Sequence, residues 1–170
     1  MKKSIYIWSL IICSSLSSEA QTTNHKVYSL FVVNIAKYAS FPSIGNDFKI
    51  VVLGKSNVYE ELQKVAATKD VNGKKMNITQ VDEAAKIEEA QIIYLSDGKS
   101  GLLADVIKKF EGKPIMIISE REGLYKRGAG LSFVVSEDSK LRVDINKTDL
   151  EKRQIRLSQN IVNTLGNTII

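Results

Sequence analysis

The sequence predicts a single α/β domain with a mixed, mainly parallel central sheet, flanking helices and a C-terminal antiparallel hairpin at the sheet edge. Three observations carry that expectation. Ile50-Val51-Val52-Leu53, Ile92-Ile93-Tyr94-Leu95 and Ile115-Met116-Ile117-Ile118 are nearly continuous apolar runs closed by Gly54, Asp97-Gly98 or Ser119-Glu120, the pattern of strands buried on both faces. Segments of helical periodicity lie between them. Near the end, Leu131, Phe133 and Val135, then Leu141, Val143 and Ile145, occupy alternate positions around Glu137-Asp138-Ser139-Lys140, which reads as a hairpin with a polar face on its second strand. A chain of 170 residues, 44% hydrophobic and 25% charged, is the size of one domain and apolar enough to exclude global disorder.

The first twenty residues are of a different kind. Lys2 and Lys3 precede an apolar run from Ile5 to Ile12, and Ser18-Glu19-Ala20 supplies a small-x-small end. This is the layout of an export signal over 1–20, with cleavage expected between Ala20 and Gln21 and a periplasmic address. The apolar run is too short for the roughly 18–20 residues that span a bilayer. Cys13, the one cysteine, sits in this leader after the bulky Ile12, where a lipoprotein would carry a small residue. The mature chain is therefore expected to lack cysteine and any disulfide framework. Loss of Lys2, Lys3 and Glu19 takes the formal charge from +5 to +4.

The mature elements follow in order, with a polar tail over 21–26 and the domain over 27–170. From His25 to Ser40, Val27, Leu30, Phe31, Ile35 and Tyr38 recur at helical spacing, and Val32 and Val33 widen the apolar surface beyond one stripe. This helix should stop near Phe41-Pro42, since proline disfavours helix in the residue before it. A helix over 58–67 turns Leu62, Val65 and Ala66 inward, and Asn72-Gly73 marks a turn before a weaker strand through Met76 and Ile78. The helix over 101–111 presents Leu102, Leu103, Val106, Ile107 and Phe110 on one face and turns Lys108 and Lys109 away. Gly128-Ala129-Gly130 leads into the hairpin. A closing helix carries Leu157, Ile161, Val162 and Leu165, with Gly166 as its stop.

Most motif tests fail on physical grounds. Gly54-Lys55-Ser56 and Gly98-Lys99-Ser100 both follow strands, but a phosphate loop needs glycine five residues earlier, where Lys49 and Ile93 stand. His25, the single histidine, lies at the junction of tail and helix and is expected to be solvated. Asp97 and Glu120 each end a buried strand; paired carboxylates can hydrolyse, yet capping and solvent exposure account for acids at such ends. Asn77-Ile78-Thr79 and Asn146-Lys147-Thr148 match the glycosylation pattern, but both are expected in strands. The basic pairs Lys108-Lys109, Lys126-Arg127 and Lys152-Arg153 are interrupted by acids, so nucleic-acid binding is not expected. No enzyme, metal or cofactor follows from these residues. Ligands of open α/β sheets sit beyond the carboxyl ends of parallel strands, and here those ends carry Gly54, Lys55, Ser56, Ser96, Asp97, Ser119 and Glu120. A small ligand, if one is bound, is expected there.

Val27-Tyr28-Ser29-Leu30-Phe31, Ile35-Ala36-Lys37-Tyr38 and Phe41-Pro42 resemble the opening helix of the YfiR family. The resemblance continues through Val52-Leu53-Gly54, residues 90–96, Gly112-Lys113-Pro114, Ile118-Ser119-Glu120, Gly123, residues 128–133 and Val143-Asp144-Ile145-Asn146. It implies an exported, non-enzymatic regulatory domain, whose partner is a membrane-bound sensor, either a diguanylate cyclase or a histidine kinase. A homodimer and a small ligand are further expected partners. Phe41 replaces a usual tryptophan, and the paired cysteines of better-known members are missing, so the resemblance brings no redox switch. Docking is expected on the wide apolar surface of the first helix, through Phe31, Val32 and Val33, together with Phe41.

Overall fold

A computed structural model describes residues 17–135 and 140–170, with side chains from Asn24 onward. Residues 1–16 of the leader expected over 1–20, and most of the expected hairpin turn, lie outside the described residues, while 17–26, expected as leader end and polar tail, are the first turns of α1. In chain order the elements are α1 (Ser17–Tyr38), β1 (Ala39–Ser40), β2 (Phe48–Leu53), α2 (Val58–Ala66), β3 (Met76–Val81), β4 (Ile92–Leu95), α3 (Leu103–Lys109), β5 (Met116–Ser119), β6 (Leu131–Val135), β7 (Leu141–Ile145), α4 (Lys147–Lys152), β8 (Arg156–Leu157), α5 (Gln159–Leu165) and β9 (Gly166–Ile169). A seven-stranded sheet in the order β3-β2-β4-β5-β6-β7-β9 forms the centre, and β1 pairs with β8 in a separate two-stranded piece. Pairing is parallel from β3 to β6, antiparallel between β6 and β7, and parallel again between β7 and β9.

The apolar runs become the middle of this sheet because side chains alternate across a strand and both faces are covered. Ile50, Val52, Ile92, Tyr94, Met116 and Ile118 face one core with Val32, Ile35 and Ala36 of α1, Val58 and Leu62 of α2, Phe133 and Val143. Val51, Leu53, Ile93, Leu95 and Ile117 face the other with Leu103 and Val106 of α3, Ile87, Phe110 and Leu124. The helix α1 is buried on more than one side, and it ends at Tyr38 ahead of Pro42.

Several local features differ from the sequence reading. The helix over 101–111 is a 3-10 turn, Asp97–Leu102, followed by α3. Lys109 does not point away: its ammonium donates to the carbonyls of Ala84, Ala85 and Ile87 at 2.8, 2.6 and 2.7 Å, closing the end of a 3-10 turn at Ala84–Lys86. Asn146 opens α4 and lies in no strand. Its carboxamide oxygen accepts from Asp149 N at 2.8 Å while its Nδ2 donates to the Tyr125 carbonyl at 2.8 Å, which caps the helix. The closing helix stops before Gly166, but the chain then continues as β9 and adds a strand beside the hairpin. Leu157 belongs to β8 and not to that helix.

Candidate functional site

Parallel pairing brings the ends of β2, β4 and β5 to one rim of the sheet, and the expected polar residues gather there. Gly54 leaves β2 with φ +95°, a conformation glycine adopts without strain. Its amide donates to Val81 O at 2.7 Å. Ser96 and Ser119 are buried and face inward: Ser96 Oγ donates to Leu53 O at 2.9 Å and Ser119 Oγ to Arg121 O at 2.9 Å. Lys55 is exposed. The carboxylate of Asp97 turns outward to Arg121, which donates from Nε at 2.7 Å and from a second nitrogen at 3.3 Å. That guanidinium holds Asp97 below the usual carboxylate range. The two acids at these strand ends thus take different partners, Asp97 an arginine and Glu120 a serine hydroxyl and a backbone amide.

Glu120 is the centre of the rim. Its Oε2 accepts from Ser56 Oγ at 3.3 Å and from Asp97 N at 3.2 Å, while Ser56 Oγ also accepts from Val58 N, the first amide of α2, at 3.3 Å. Oε1 faces His25 Nε2 at 3.8 Å. One carboxylate thus joins the β2–α2 loop, the end of β4, the end of β5 and α1. His25 is not solvated: its side chain is 19% exposed, and Nδ1 is buried without a hydrogen bond. Burial first, then the charge of Glu120, raises the hydroxyl pKa of Tyr28. The same two causes raise Tyr94 much further, and its fully buried hydroxyl lacks a hydrogen bond of good geometry. Tyr28 stacks on Phe133 with centroids 4.7 Å apart, and Phe31 meets the same ring edge-on at 6.2 Å.

Sequence reasoning found Ser56, Asp97 and Glu120 but missed His25, Tyr28 and Tyr94. Tyr94 was the one signal available, the only polar-tipped residue within the three apolar runs. His25 and Tyr28 left none, because they reach the rim only through the packing of α1. These side chains fill the space beyond the strand ends. Ser56 Oγ donates to Glu120 and accepts from Val58 N, so both of its hydrogen-bonding roles are taken up within the fold. Among the described residues, no three His, Cys, Asp or Glu side chains group as a metal would need.

The expected docking residues separate. Val32, Val33 and Phe41 are 0%, 2% and 8% exposed, with Phe41 packed edge-on against Phe48 at 5.4 Å. Their apolar surplus is spent inside the domain, because α1 is enclosed by the sheet and α2. They cannot form an external surface. Phe31 is half-buried, and Tyr38, seven residues on along the same stripe, is 49% exposed.

The fold and the site together define a mixed α/β domain whose N-terminal helix closes its own strand-end crevice. A family model described as YfiR/HmsC-like matches residues 25–164, and the chain belongs to that family. No curated protein matches it in sequence. The crystal structure of a conserved domain protein from Vibrio cholerae O1 biovar El Tor strain N16961 is similar in fold, with a TM-score of 0.55 at 13% identity. The likeness covers 86% of this chain and 60% of that one, so the chain spans less than two thirds of the other's length.

Proposed function

We propose that the chain is an exported, non-enzymatic regulatory domain that docks on the outer domain of a membrane sensor and controls its signalling. A diguanylate cyclase or a histidine kinase is the sensor this reading favours. The observation that carries it is the family match over 25–164. Two features agree with it: the export-type residues of 1–20, and the lack of any helix among the described residues long and apolar enough to cross a membrane. The filled rim around Glu120 favours docking over small-ligand binding, since a ligand at the strand ends would have to displace His25 and Tyr28. Docking then falls to the accessible stripe of α1, at Phe31 and Tyr38.

The test is capture of tagged protein from cross-linked membranes of the source cells, followed by mass spectrometry. A protein joining an outer domain to a cyclase or kinase domain is the expected catch. Tyr38→Asp should lower its recovery at least about tenfold, as for a central aromatic contact, while leaving the melting temperature unchanged. Capture of no such sensor, with a small molecule retained by the purified chain, would overturn docking in favour of ligand binding.

A further inference from the structure

The accessible stripe of α1 ends in charged surroundings. Tyr38, its last residue, is 49% exposed, and the loop between α2 and β3 is fastened beside it. Asn72 Nδ2 donates to Lys37 O at 3.1 Å. That loop is closed on itself: Val71 and Lys74 exchange backbone bonds at 3.0 Å each way. Asn72 and Gly73 turn the chain at φ +52° and +80°, the left-handed pair of a tight two-residue turn. The turn therefore fixes its side chains next to the end of α1.

Those side chains are basic. Residues 69–75 carry Lys69, Lys74 and Lys75 against a single acid, Asp70, whose Oδ1 accepts from Gly73 N at 3.2 Å within the turn. Lys37 adds a fourth cation from the last turn of α1. Lys49, Lys64, Lys86 and Lys147 are each paired with a glutamate. Among the described residues, Lys37, Lys69, Lys74 and Lys75 form no such pair. Asp47 lines the same hollow as Lys75, which leaves Lys37, Lys69 and Lys74 as the unopposed cations around Tyr38.

We propose that this end of the stripe receives an acidic segment of the sensor's outer domain, with Tyr38 as the central contact and Lys37, Lys69 and Lys74 around it. The inference rests on the docking reading given above and names the chemistry of the partner. An exposed aromatic ring supplies the buried area on which a contact centres, and unpaired cations beside it steer and select an anion. A protein segment fits better than an anionic membrane surface. A membrane is flat and would meet the whole end of the domain. Asp47 and Glu88 stand there, on the loops that lead into β2 and β4, which parallel pairing places at the same end as the start of β3. A narrow acidic segment meets only the lysines.

The test passes detergent-solubilised membranes of the source cells over the immobilised full mature chain. Lys69→Glu combined with Lys74→Glu should lower recovery of the sensor at least about tenfold. Recovery by the parent should fall as salt rises to about 0.5 M, where exposed charges are screened. Lys108→Glu with Lys152→Glu, an equal change of charge on α3 and α4, should leave recovery unchanged, and melting establishes that each variant folds. Loss of capture in Tyr38→Asp but not in the Lys69 and Lys74 double variant would leave docking standing and overturn the acidic partner. A second measurement does not need the sensor: an oligo-glutamate peptide is titrated into the chain at low salt and followed by amide chemical shifts. Shifts at 37–41 and 69–75 that vanish in the Lys69 and Lys74 double variant are expected. Shifts centred elsewhere, or none, overturn the proposal. Those shifts without any sensor captured by the parent would overturn the sensor as the acidic partner, and the docking reading with it. Co-sedimentation with phosphatidylglycerol-containing vesicles, lost in the same double variant, would overturn the protein segment in favour of a membrane.

Discussion

Gly54→Ala tests whether the strand-end rim is a rigid structural junction. The new methyl group would enter the space of Ser96 Oγ and Lys99 Cγ, on a backbone held at φ +95°. A side chain in left-handed backbone costs about 1–2 kcal/mol. Lys99 can swing aside at little cost, being a flexible chain that ends in solvent. Ser96 cannot: it is 1% exposed and donates to Leu53 O at 2.9 Å. Moving it unpairs a buried hydroxyl, for about 1–3 kcal/mol, while Leu53 O keeps its bond from Ser96 N at 3.1 Å. The sum is about 2–5 kcal/mol, read in urea as a midpoint lowered by roughly 1–2.5 M at an m-value of about 2 kcal/mol/M. Gly45→Ala is the control, since nothing lies within 4 Å of its added carbon; it should stay within about 0.5 kcal/mol of the parent. Because Ser96 Oγ is the obstacle, Gly54→Ala with Ser96→Ala should cost about 1 kcal/mol less than the two single changes summed. A Gly54→Ala midpoint within error of the parent, or strict additivity in the double variant, refutes the reasoning.

Three further predictions rest on burial. The raised pKa of Tyr94, caused by burial and then by the Glu120 charge, means that its contribution to stability is complete below the ordinary value of 10.0. That contribution is lost as pH climbs through the elevated folded value, so alkaline titration of unfolding should steepen above pH 10.0 and become shallower in Tyr94→Phe. Arg153 is 6% exposed and donates to Asp149 Oδ2 at 2.8 Å and to Phe110 O at 3.3 Å. Arg153→Ala should therefore cost about 3 kcal/mol or more and be insensitive to salt, whereas loss of the exposed Arg121–Asp97 pair should leave urea melts unchanged within error. On α1, Val33→Asp should abolish the cooperative thermal transition, because it buries a charge at a site 2% exposed; Tyr38→Asp should leave that transition in place.

The sheet was legible because burial on both faces writes itself into composition. Ile92, Ile93 and their neighbours have to be apolar whatever the rest of the chain does, and their order sets the parallel core. The last segment was harder for the same reason. Gly166-Asn167-Thr168-Ile169 is an edge strand, so it has one neighbour, little burial and no apolar run to betray it. The helix α4 was hidden because its six residues bury only Leu150. His25 escaped notice through context: a histidine beside a polar tail reads as solvated until α1 lays it across the end of β5, and local sequence does not encode that crossing.

The same crossing decides which surfaces are left for function. In an open α/β sheet the natural place for a ligand is the crevice at the strand ends. Here α1 covers it, and Glu120 accepts from Ser56 and from the Asp97 amide while facing His25. The apolar richness of α1, which on sequence suggested a docking face, is largely consumed in making that seal, with Val32 and Val33 fully packed. What stays accessible on α1 is the stripe of half-buried Phe31 and exposed Tyr38, so the docking proposed above has to use that stripe and not the buried Val32 and Val33. Tyr38→Asp should therefore lower sensor capture and leave the melting temperature unchanged. Loss of the cooperative transition in Tyr38→Asp, or sensor capture equal to that of the parent, would show that this stripe is not the docking face.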